Sequence, residues 1–286
     1  MGSRWFVDIH VHIQPWQMLT PSARETMLAH HDARTVEHLL ACIESPSVFL
    51  NHLDAEGCER ACLVNYPSRV MGFTPAANDW VLDYCRVNPD RLIPVGSLDP
   101  HRTPNPRDEV RRLIDRGLRM FKIHPVHQRV APNAYLEGNE VIRVVYEEAQ
   151  AAGIPVMFHT GTSIFPGARN RFGEPLLLDD VGVDFPELKV VIAHGGRPLW
   201  MNEAFFLMRR FPNFYLDISG IPPKRLLDYF PRLHEIADRV VFGSDWPSPG
   251  VPGMAANARE IQRLFLTTEI KLKILLTNSN KLIKLK

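Results

Sequence analysis

Two histidines lie two positions apart near the start of the chain, in the stretch "VDIHVHIQPW" at residues 7–16. In an extended strand, residues i and i+2 point to the same side and lie roughly 6.6 Å apart. His10 and His12 can therefore both turn their imidazoles onto one metal ion, at bond lengths of about 2.0 to 2.1 Å. An isolated pair of this kind is more often two incidental histidines on a half-solvated strand, so other residues must decide.

Three further polar residues occur where other apolar runs end. His159 lies in "MFHTG", His194 lies in "VIAHGG", and Asp245 lies in "VFGSDWP". A single buried histidine is usually a core residue with a satisfied hydrogen bond, and a single aspartate is often a cap. Together with His10 and His12, they form a set of nitrogen and carboxylate donors without thiolates. Such a set suits Zn²⁺, Mn²⁺ or Fe²⁺.

Eight short apolar runs can position these residues, and each is followed by a segment with helical spacing. The runs cover residues 4–13, 59–67, 91–100, 118–126, 154–163, 188–196, 213–220 and 239–247. Two of the amphipathic segments, 106–116 and 140–152, are each followed by glycine, which is typical of a helix C-terminus. Eight strands alternating with helices in 286 residues predict an α/β fold, a single-domain (β/α)8 TIM barrel over residues 1–286.

In such a barrel, the C-terminal ends of the strands surround a common mouth where active sites form. The histidines and Asp245 all fall in the last positions of predicted strands, so the fold would bring them together. No "GxGxxG" follows the first strand and no Walker-type loop occurs, which disfavours cofactors held by a phosphate-binding loop.

The net charge of the chain indicates which kinds of binding partner to expect. The chain has 33 Lys and Arg against 32 Asp and Glu, for a net charge of +1. Without a basic excess there is no electrostatic footprint for nucleic acid or for an anionic membrane, so a small-molecule substrate is expected. A homodimer is expected only by analogy with other barrels.

The cellular location is predicted from what the sequence contains. The four cysteines form no C-x-x-C pair, which indicates reduced thiols. No signal-peptide pattern opens the chain, and no apolar run approaches the roughly 18 residues of a membrane span. The sequence therefore predicts a cytoplasmic protein without a membrane partner.

The order of the strand-end residues resembles that of the amidohydrolase superfamily. The phrases "DIHVHI", "FKIHP", "HTG", "AHGG" and "FGSDWP" are similar to its amidohydrolase-related branch, which includes aminocarboxymuconate semialdehyde decarboxylase and related hydrolases. The resemblance runs from Asp8 to the "NSNKLIKL" ending. It implies one divalent metal ion, with zinc favoured over manganese or iron, and the ligands would be His10, His12, His159 and Asp245. It also implies that His194 lies beside the metal-bound water as an acid/base and electrophile.

A metal-dependent hydrolase that opens an ester, lactone or amide bond is the leading hypothesis. A bound Zn²⁺ can lower the pKa of water from 15.7 to about 7. Asp245 could then accept the proton of that water, and His194 could polarise the scissile carbonyl or protonate the leaving group. The alternatives are a non-oxidative decarboxylase of an aromatic or enoic acid, a nuclease of a related barrel family, and a metal-binding barrel without turnover. The balanced charge disfavours the nuclease.

Substrate contacts are predicted from position alone. Lys122 lies on the fourth strand, where binuclear amidohydrolases carry a carboxylated lysine. An ordinary lysine facing the pocket is favoured, because the branch with "FGSDWP" usually lacks that bridge. A place in the pocket wall and a structural role are equally open for His124, and the other candidates are Arg69, Arg197 and Trp246. Arginine forks suit carboxylates and indole faces suit flat unsaturated groups, so a small carboxylate-bearing substrate is expected.

Overall fold

Parallel strands form the centre of the protein. The computed structural model describes residues 4–284, and over these residues eight strands form one sheet in sequence order. They are β1 (Phe6–Val11), β2 (Cys58–Val64), β3 (Leu92–Gly96), β4 (Met120–Ile123), β5 (Val156–His159), β6 (Val190–Ala193), β7 (Phe214–Asp217) and β8 (Val240–Val241). The sheet closes between β8 and β1, where the N–H of Ile9 donates to the carbonyl of Phe242. The predicted (β/α)8 barrel is confirmed.

Helices lie between and after these strands. They are α1 (Pro21–Leu28), α2 (Ala33–Glu44), α3 (Pro46–Glu56), α4 (Ala76–Cys85), α5 (Pro106–Asp115), α6 (Pro125–Gln128), α7 (Glu140–Ala152), α8 (Leu178–Asp184), α9 (Met201–Arg210), α10 (Leu226–Tyr229), α11 (Met254–Arg263), α12 (Thr268–Leu272) and α13 (Asn278–Ile283). The two helices predicted from their glycine stops are present as α5 and α7. Helix α7 begins after Asn139, whose side chain accepts a hydrogen bond from the N–H of Ile142, and ends at Gly153, which has a φ of 67°.

Each observed strand is shorter than the apolar run that predicted it. The run at residues 239–247, for example, contains only Val240–Val241 as a strand. Most of the remaining residues of these runs belong to the segments that follow the strands. This difference matters for the site, because His12, His194 and Asp245 lie in those segments, whereas His10 and His159 lie in strands.

Alternate strand residues pack into two apolar clusters. Phe121 packs in a cluster that includes helix residues such as Val144. Its neighbour Met120 packs in the second cluster, which includes Met157 of β5. Because the side chains of a strand alternate, Lys122 points to the same side as Met120, toward the barrel interior. Lys122 is fully buried there.

The cysteines lie in the interior of the protein. All four cysteines are free, buried thiols. Burial raises the pKa of the Cys42 thiol to about 12, so this thiol stays protonated near neutral pH. Within residues 4–284, every helix falls short of the length and apolar character that crossing a bilayer would require.

Candidate active site

A cavity of about 270 Å³ opens where the C-terminal ends of the strands meet. Eight of the residues predicted from the sequence line it: His10, His12, Lys122, His124, His159, His194, Arg197 and Asp245. Apolar side chains complete the wall, including Met27, Met71, Ile164 and Phe165. The barrel therefore brings together donor groups from β1, β4, β5, β6 and β8 or the loops that follow them.

Two predicted substrate residues lie elsewhere. Arg69 is exposed and lines a separate cavity with His101 and Arg129. The indole of Trp246 is buried and stacks on the imidazole of His52, with the ring centroids 4.8 Å apart. Neither side chain lines the cavity of about 270 Å³, which we call the histidine cavity.

His10 is held by a buried carboxylate. Its Nδ1 lies 2.6 Å from Oδ2 of Asp217, and the hydroxyl of Ser219 donates to the same oxygen at 2.7 Å. Since an ionised carboxylate only accepts hydrogen bonds, the imidazole proton lies on Nδ1. The Nε2 lone pair of His10 is then free, and that atom is buried without a hydrogen-bond partner. An imidazole oriented in this way is suited to bind a metal.

His194 has the same tautomer for a different reason. Its Nδ1 lies 3.0 Å from the backbone carbonyl oxygen of Ser219, which can only accept a hydrogen bond. The proton of the neutral ring is therefore on Nδ1, and the lone pair is on Nε2. His194 can ligate a cation or accept a proton, but in this tautomer it cannot donate to a substrate carbonyl. One donor atom each from His194, His10 and Asp245 lie within 4.8 Å of one another.

Asp245 is the carboxylate at the centre of the cluster. Its Oδ1 lies 3.0 Å from Nε2 of His12 and 3.6 Å from Nε2 of His10. Burial opposes ionisation of Asp245, but the hydrogen bond that Nε2 of His12 donates to Oδ1 favours the ionised form. The pKa of Asp245 lies well below its ordinary value. Asp245 is therefore an ionised acceptor across the whole physiological pH range.

The backbone at two of these residues is unusual. His194 has a φ of 65° and Asp245 a φ of 67°, in the left-handed region that residues other than glycine rarely adopt. Conformations of this kind cost about 1 to 3 kcal/mol each and cluster at functional sites. The surrounding loops thus hold both side chains in position at the expense of folding stability.

Three imidazoles stack along one wall of the cavity. The ring of His124 lies between those of His127 and His159, at centroid distances of 3.7 and 3.9 Å. Nδ1 of His124 accepts the backbone N–H of His127 at 3.3 Å, so neutral His124 carries its proton on Nε2. His127 itself contacts the hydroxyls of Tyr66 and Ser163 at 3.0 and 2.7 Å. Nε2 of His159 is buried without a partner.

Burial keeps these histidines neutral. It lowers the pKa of His10, His124, His159 and His194 well below the ordinary value, and it lowers the pKa of His127 to about 3. Neutral imidazoles can act as ligands without first losing a proton. The histidine cluster is thus ready to receive a cation near neutral pH.

Lys122 supplies a positive charge to the same cavity. Burial lowers the pKa of its ammonium to about 8, although Asp217 and Asp245 oppose this shift. Near pH 7 the group therefore remains mostly charged. Its Nζ is buried without a hydrogen-bond partner. An unpaired buried ammonium is unfavourable unless a ligand supplies an acceptor.

The sequence matches a known protein family over nearly its whole length. A family described as amidohydrolases matches residues 7–285. The chain belongs to this amidohydrolase family. No curated protein sequence matches it, so the remaining comparisons are with solved structures.

Three solved structures illustrate what this amidohydrolase is similar to. An uncharacterised TIM-barrel protein of Bordetella bronchiseptica is 23% identical, with 97% of each chain covered and a TM-score of 0.75. A 5-carboxyvanillate decarboxylase of Novosphingobium aromaticivorans, complexed with manganese, is 17% identical over 99% of this chain and 97% of its own, with a TM-score of 0.69. A probable 2-pyrone-4,6-dicarboxylic acid hydrolase of Acinetobacter baumannii, with citric acid bound, is 16% identical over 98% and 100%, with a TM-score of 0.68. At these identities the likeness shows a shared fold.

The donor set of this amidohydrolase fits a divalent metal ion. The Nε2 atoms of His10 and His159 are buried without hydrogen-bond partners, as expected of groups whose partner is a cation. Two donors bonded to one ion at about 2.0 to 2.2 Å lie about 3.0 to 3.5 Å apart. The 3.6 Å between Oδ1 of Asp245 and Nε2 of His10 is close to that range. Nε2 of His12 lies 3.0 Å from the same oxygen and would exchange its hydrogen bond for the cation.

The sequence interpretation of this amidohydrolase missed several residues. Asp217 and Ser219, which orient His10 and His194, were not singled out, although Asp217 ends β7 in the same way that His159 ends β5. His127 and Tyr66 were also missed. A rule that treats every polar residue at a strand end as a candidate would have found Asp217, but the stacked position of His127 has no signal in the sequence.

Gly243 gives a test of how tightly the floor of the site is packed. A Cβ at this position would lie 2.5 Å from Oδ1 of Asp217 and 2.7 Å from Cβ of His10. We expect Gly243→Ala to lower the free energy of unfolding by about 1 to 3 kcal/mol, and to weaken metal binding because it displaces the Asp217–His10 pair. Chemical denaturation and metal titration measure the two effects. Gly138→Ala is the control for metal affinity, since nothing lies within 4 Å of a Cβ there, although its φ of 88° means that alanine also lowers stability. Equal metal affinity in both variants would contradict the packing argument.

Proposed function

We propose that this amidohydrolase is a metal-dependent hydrolase that cleaves an ester, lactone or amide bond of a small substrate bearing a carboxylate. The convergence of ionised Asp245 with neutral imidazoles in a buried cavity supports this function most directly. A hydrolase needs a group that accepts a proton from water, and the environment of Asp245 keeps that carboxylate unprotonated.

The cation would be held by Asp245, His10, His12 and His159, with His194 as a further donor. When bound, a divalent cation acts as a Lewis acid and lowers the pKa of water, so that a nucleophile is available near neutral pH. Zinc suits the imidazole and carboxylate donors, and manganese is the alternative, since a decarboxylase of similar fold was crystallised with it.

Three side chains of the cavity have different roles in the proposed hydrolysis. Asp245 accepts a proton from water and passes it to the leaving group. Neutral His124, which carries its proton on Nε2, donates a hydrogen bond to a substrate oxygen. This assignment moves the donor role from His194, whose N–H is bonded to the carbonyl of Ser219. Lys122 supplies positive charge for a substrate carboxylate inside the cavity.

Non-oxidative decarboxylation is the second candidate. It is supported by the 5-carboxyvanillate decarboxylase, whose fold matches over 99% of this chain, and by the buried ammonium of Lys122. The bond between the substrate carbon and its carboxylate would break, carbon dioxide would leave, and the electron pair left on carbon would take a proton from the Lys122 ammonium. The same set of metal-binding side chains serves both reactions.

A single assay separates the two reactions. The protein is loaded with zinc or with manganese and incubated in ¹⁸O-labelled water with a panel of lactones, aryl esters, and aromatic and enoic acids. Hydrolysis is expected to place one ¹⁸O atom in the product acid without release of carbon dioxide. Carbon dioxide release without ¹⁸O incorporation would replace the proposed hydrolysis with decarboxylation.

A further inference from the structure

A second cavity adjoins the histidine cavity on the far side of Asp245. Its volume is about 690 Å³, against about 270 Å³ for the histidine cavity. Arg197, Asp245 and Pro249 line both. The rest of its wall comes from the loops that follow β7 and β8 and from the beginning of α11. The two cavities therefore meet at Arg197, Asp245 and Pro249.

The position of Arg197 between the two cavities is determined by its neighbours. Its backbone carbonyl accepts the N–H of Thr162 at 3.0 Å, and its N–H donates to the carbonyl of His194 at 3.1 Å. Its side chain passes directly over Gly220, where a Cβ would lie 2.7 Å from Nη2 and 2.8 Å from Nε. The absence of a side chain at residue 220 thus makes room for the guanidinium.

The hydrogen-bonding capacity of this guanidinium is largely unused within the described residues. Nε of Arg197 is buried without a partner. Nη2 lies 4.0 Å from Oδ2 of Asp245, which is close enough for an ionic attraction but too far for a hydrogen bond. A guanidinium presents several N–H donors in a planar fork that matches a carboxylate. A bound carboxylate would supply the acceptors that the protein itself does not.

The second cavity is lined by more cationic than acidic groups. Lys224 and Arg225 line it together with Arg197, while Asp245 and Glu260 are its acidic residues. Asp245 is already hydrogen-bonded to His12, and the ammonium of Lys224 lies 4.0 Å from Glu260. Nε of Arg225 donates to Asp228 at 2.5 Å. Among the residues that the structure describes, Arg197 is therefore the cation of this cavity with donor capacity left for an anionic ligand.

We propose that the second cavity is a subsite for the distal end of an elongated substrate, whose terminal carboxylate binds Arg197. This inference rests on the proposed function, since the bond to be cleaved would lie in the histidine cavity. The substrate class is then an extended chain with a carboxylate at its far end, and a compact ring acid would leave the larger cavity unfilled.

Calorimetric titration of the manganese-loaded full chain tests this subsite without requiring turnover. The probes are suberate, an eight-carbon dicarboxylate, and octanoate, which has the same length and one carboxylate fewer. Suberate is expected to bind at least about 10-fold more tightly than octanoate, because the second carboxylate forms charged hydrogen bonds. Isophthalate, a compact dicarboxylate, is expected to bind more weakly than suberate.

Variants identify the arginine responsible. Arg197→Gln should reduce the preference for suberate to within about 3-fold. Gly220→Ala, which keeps the charge but displaces the guanidinium, should reduce it as well. Arg86→Gln is the matched control, because the Arg86 side chain is 81% exposed on the protein surface and should leave the preference unchanged.

The outcomes distinguish the subsite from the proposed reaction. Equal affinity for suberate and octanoate, no binding of suberate, an advantage for isophthalate, or an unchanged preference in Arg197→Gln would each overturn the subsite. A preference that depends on Arg197 in a protein that hydrolyses nothing would support the subsite and reject the hydrolase. Hydrolysis without this preference would do the reverse.

Discussion

Replacing Asp245 with asparagine is expected to lower kcat by about 100- to 10,000-fold, because the substitution removes the group that accepts the proton of the reaction. The Asp245 carboxylate is buried, is hydrogen-bonded by His12 and remains ionised throughout the physiological range. An asparagine amide has nearly the same shape but has no basic oxygen. Steady-state kinetics on the substrate found in the ¹⁸O assay, together with metal content, measure the effect.

A matched substitution separates this effect from a general loss of structure. Asp115 is an exposed residue at the end of α5, and Asp115→Asn should keep wild-type kcat. Circular dichroism should show that both variants fold. If Asp245→Asn retained its metal and turned over within a few-fold of wild type, Asp245 would not be the proton acceptor.

Replacing Asp217 with asparagine is expected to weaken metal binding by about 10- to 100-fold. Asp217 accepts a hydrogen bond from Nδ1 of His10 at 2.6 Å, which leaves the lone pair of His10 on Nε2. An asparagine that turns its NH₂ toward His10 would favour the opposite tautomer, with the proton on Nε2, where it blocks a metal. Competition titration against a chelator, followed by elemental analysis, measures the loss.

Asp217→Asn should weaken metal binding without disturbing the fold. Ser219→Ala removes a hydroxyl that donates to Asp217 but leaves the carboxylate in place, so it should weaken metal binding less. The circular dichroism spectrum of Asp217→Asn should match that of wild type. Unchanged metal affinity in Asp217→Asn would show that His10 is not oriented through this contact.

The residues that the sequence could predict are those whose signal is local. His10, His12, His159, His194 and Asp245 each occur where an apolar run ends, and the barrel brings every strand end to one mouth. The period of two within a strand likewise gave the inward direction of Lys122. Residue type and strand position were sufficient to predict eight of the nineteen residues that line the cavity.

The remaining features depend on contacts between distant parts of the chain. Asp217 lies 207 positions from the histidine that it orients, and no local pattern links the two. The tautomer of His194 follows from the backbone carbonyl of Ser219, in the loop after β7. In this tautomer the Nε2 atom of His194 has a lone pair and no proton, so it cannot be the proton donor that the sequence predicted. The left-handed backbone of Asp245 is also imposed by surrounding structure, since aspartate has no strong preference for it.

Of the predicted substrate residues, some line the cavity and others do not. Lys122, His124 and Arg197 line the cavity, whereas Arg69 and Trp246 do not. Lys122 lies within β4 and the other four follow strands, and loop conformation decides where a side chain after a strand points. The loop after β2 directs Arg69 to a neighbouring cavity, and Trp246 turns back to pack on His52. Strand position alone cannot distinguish these cases.

The central claim is that the imidazoles and Asp245 hold one divalent cation between them. Crystals grown with excess Mn²⁺ and measured at a wavelength where manganese scatters anomalously test it most directly. We expect one anomalous peak per chain, within bonding distance of Asp245 and of at least two of the four imidazoles of His10, His12, His159 and His194. A cavity without a peak, or a peak bound by other residues, would contradict the account.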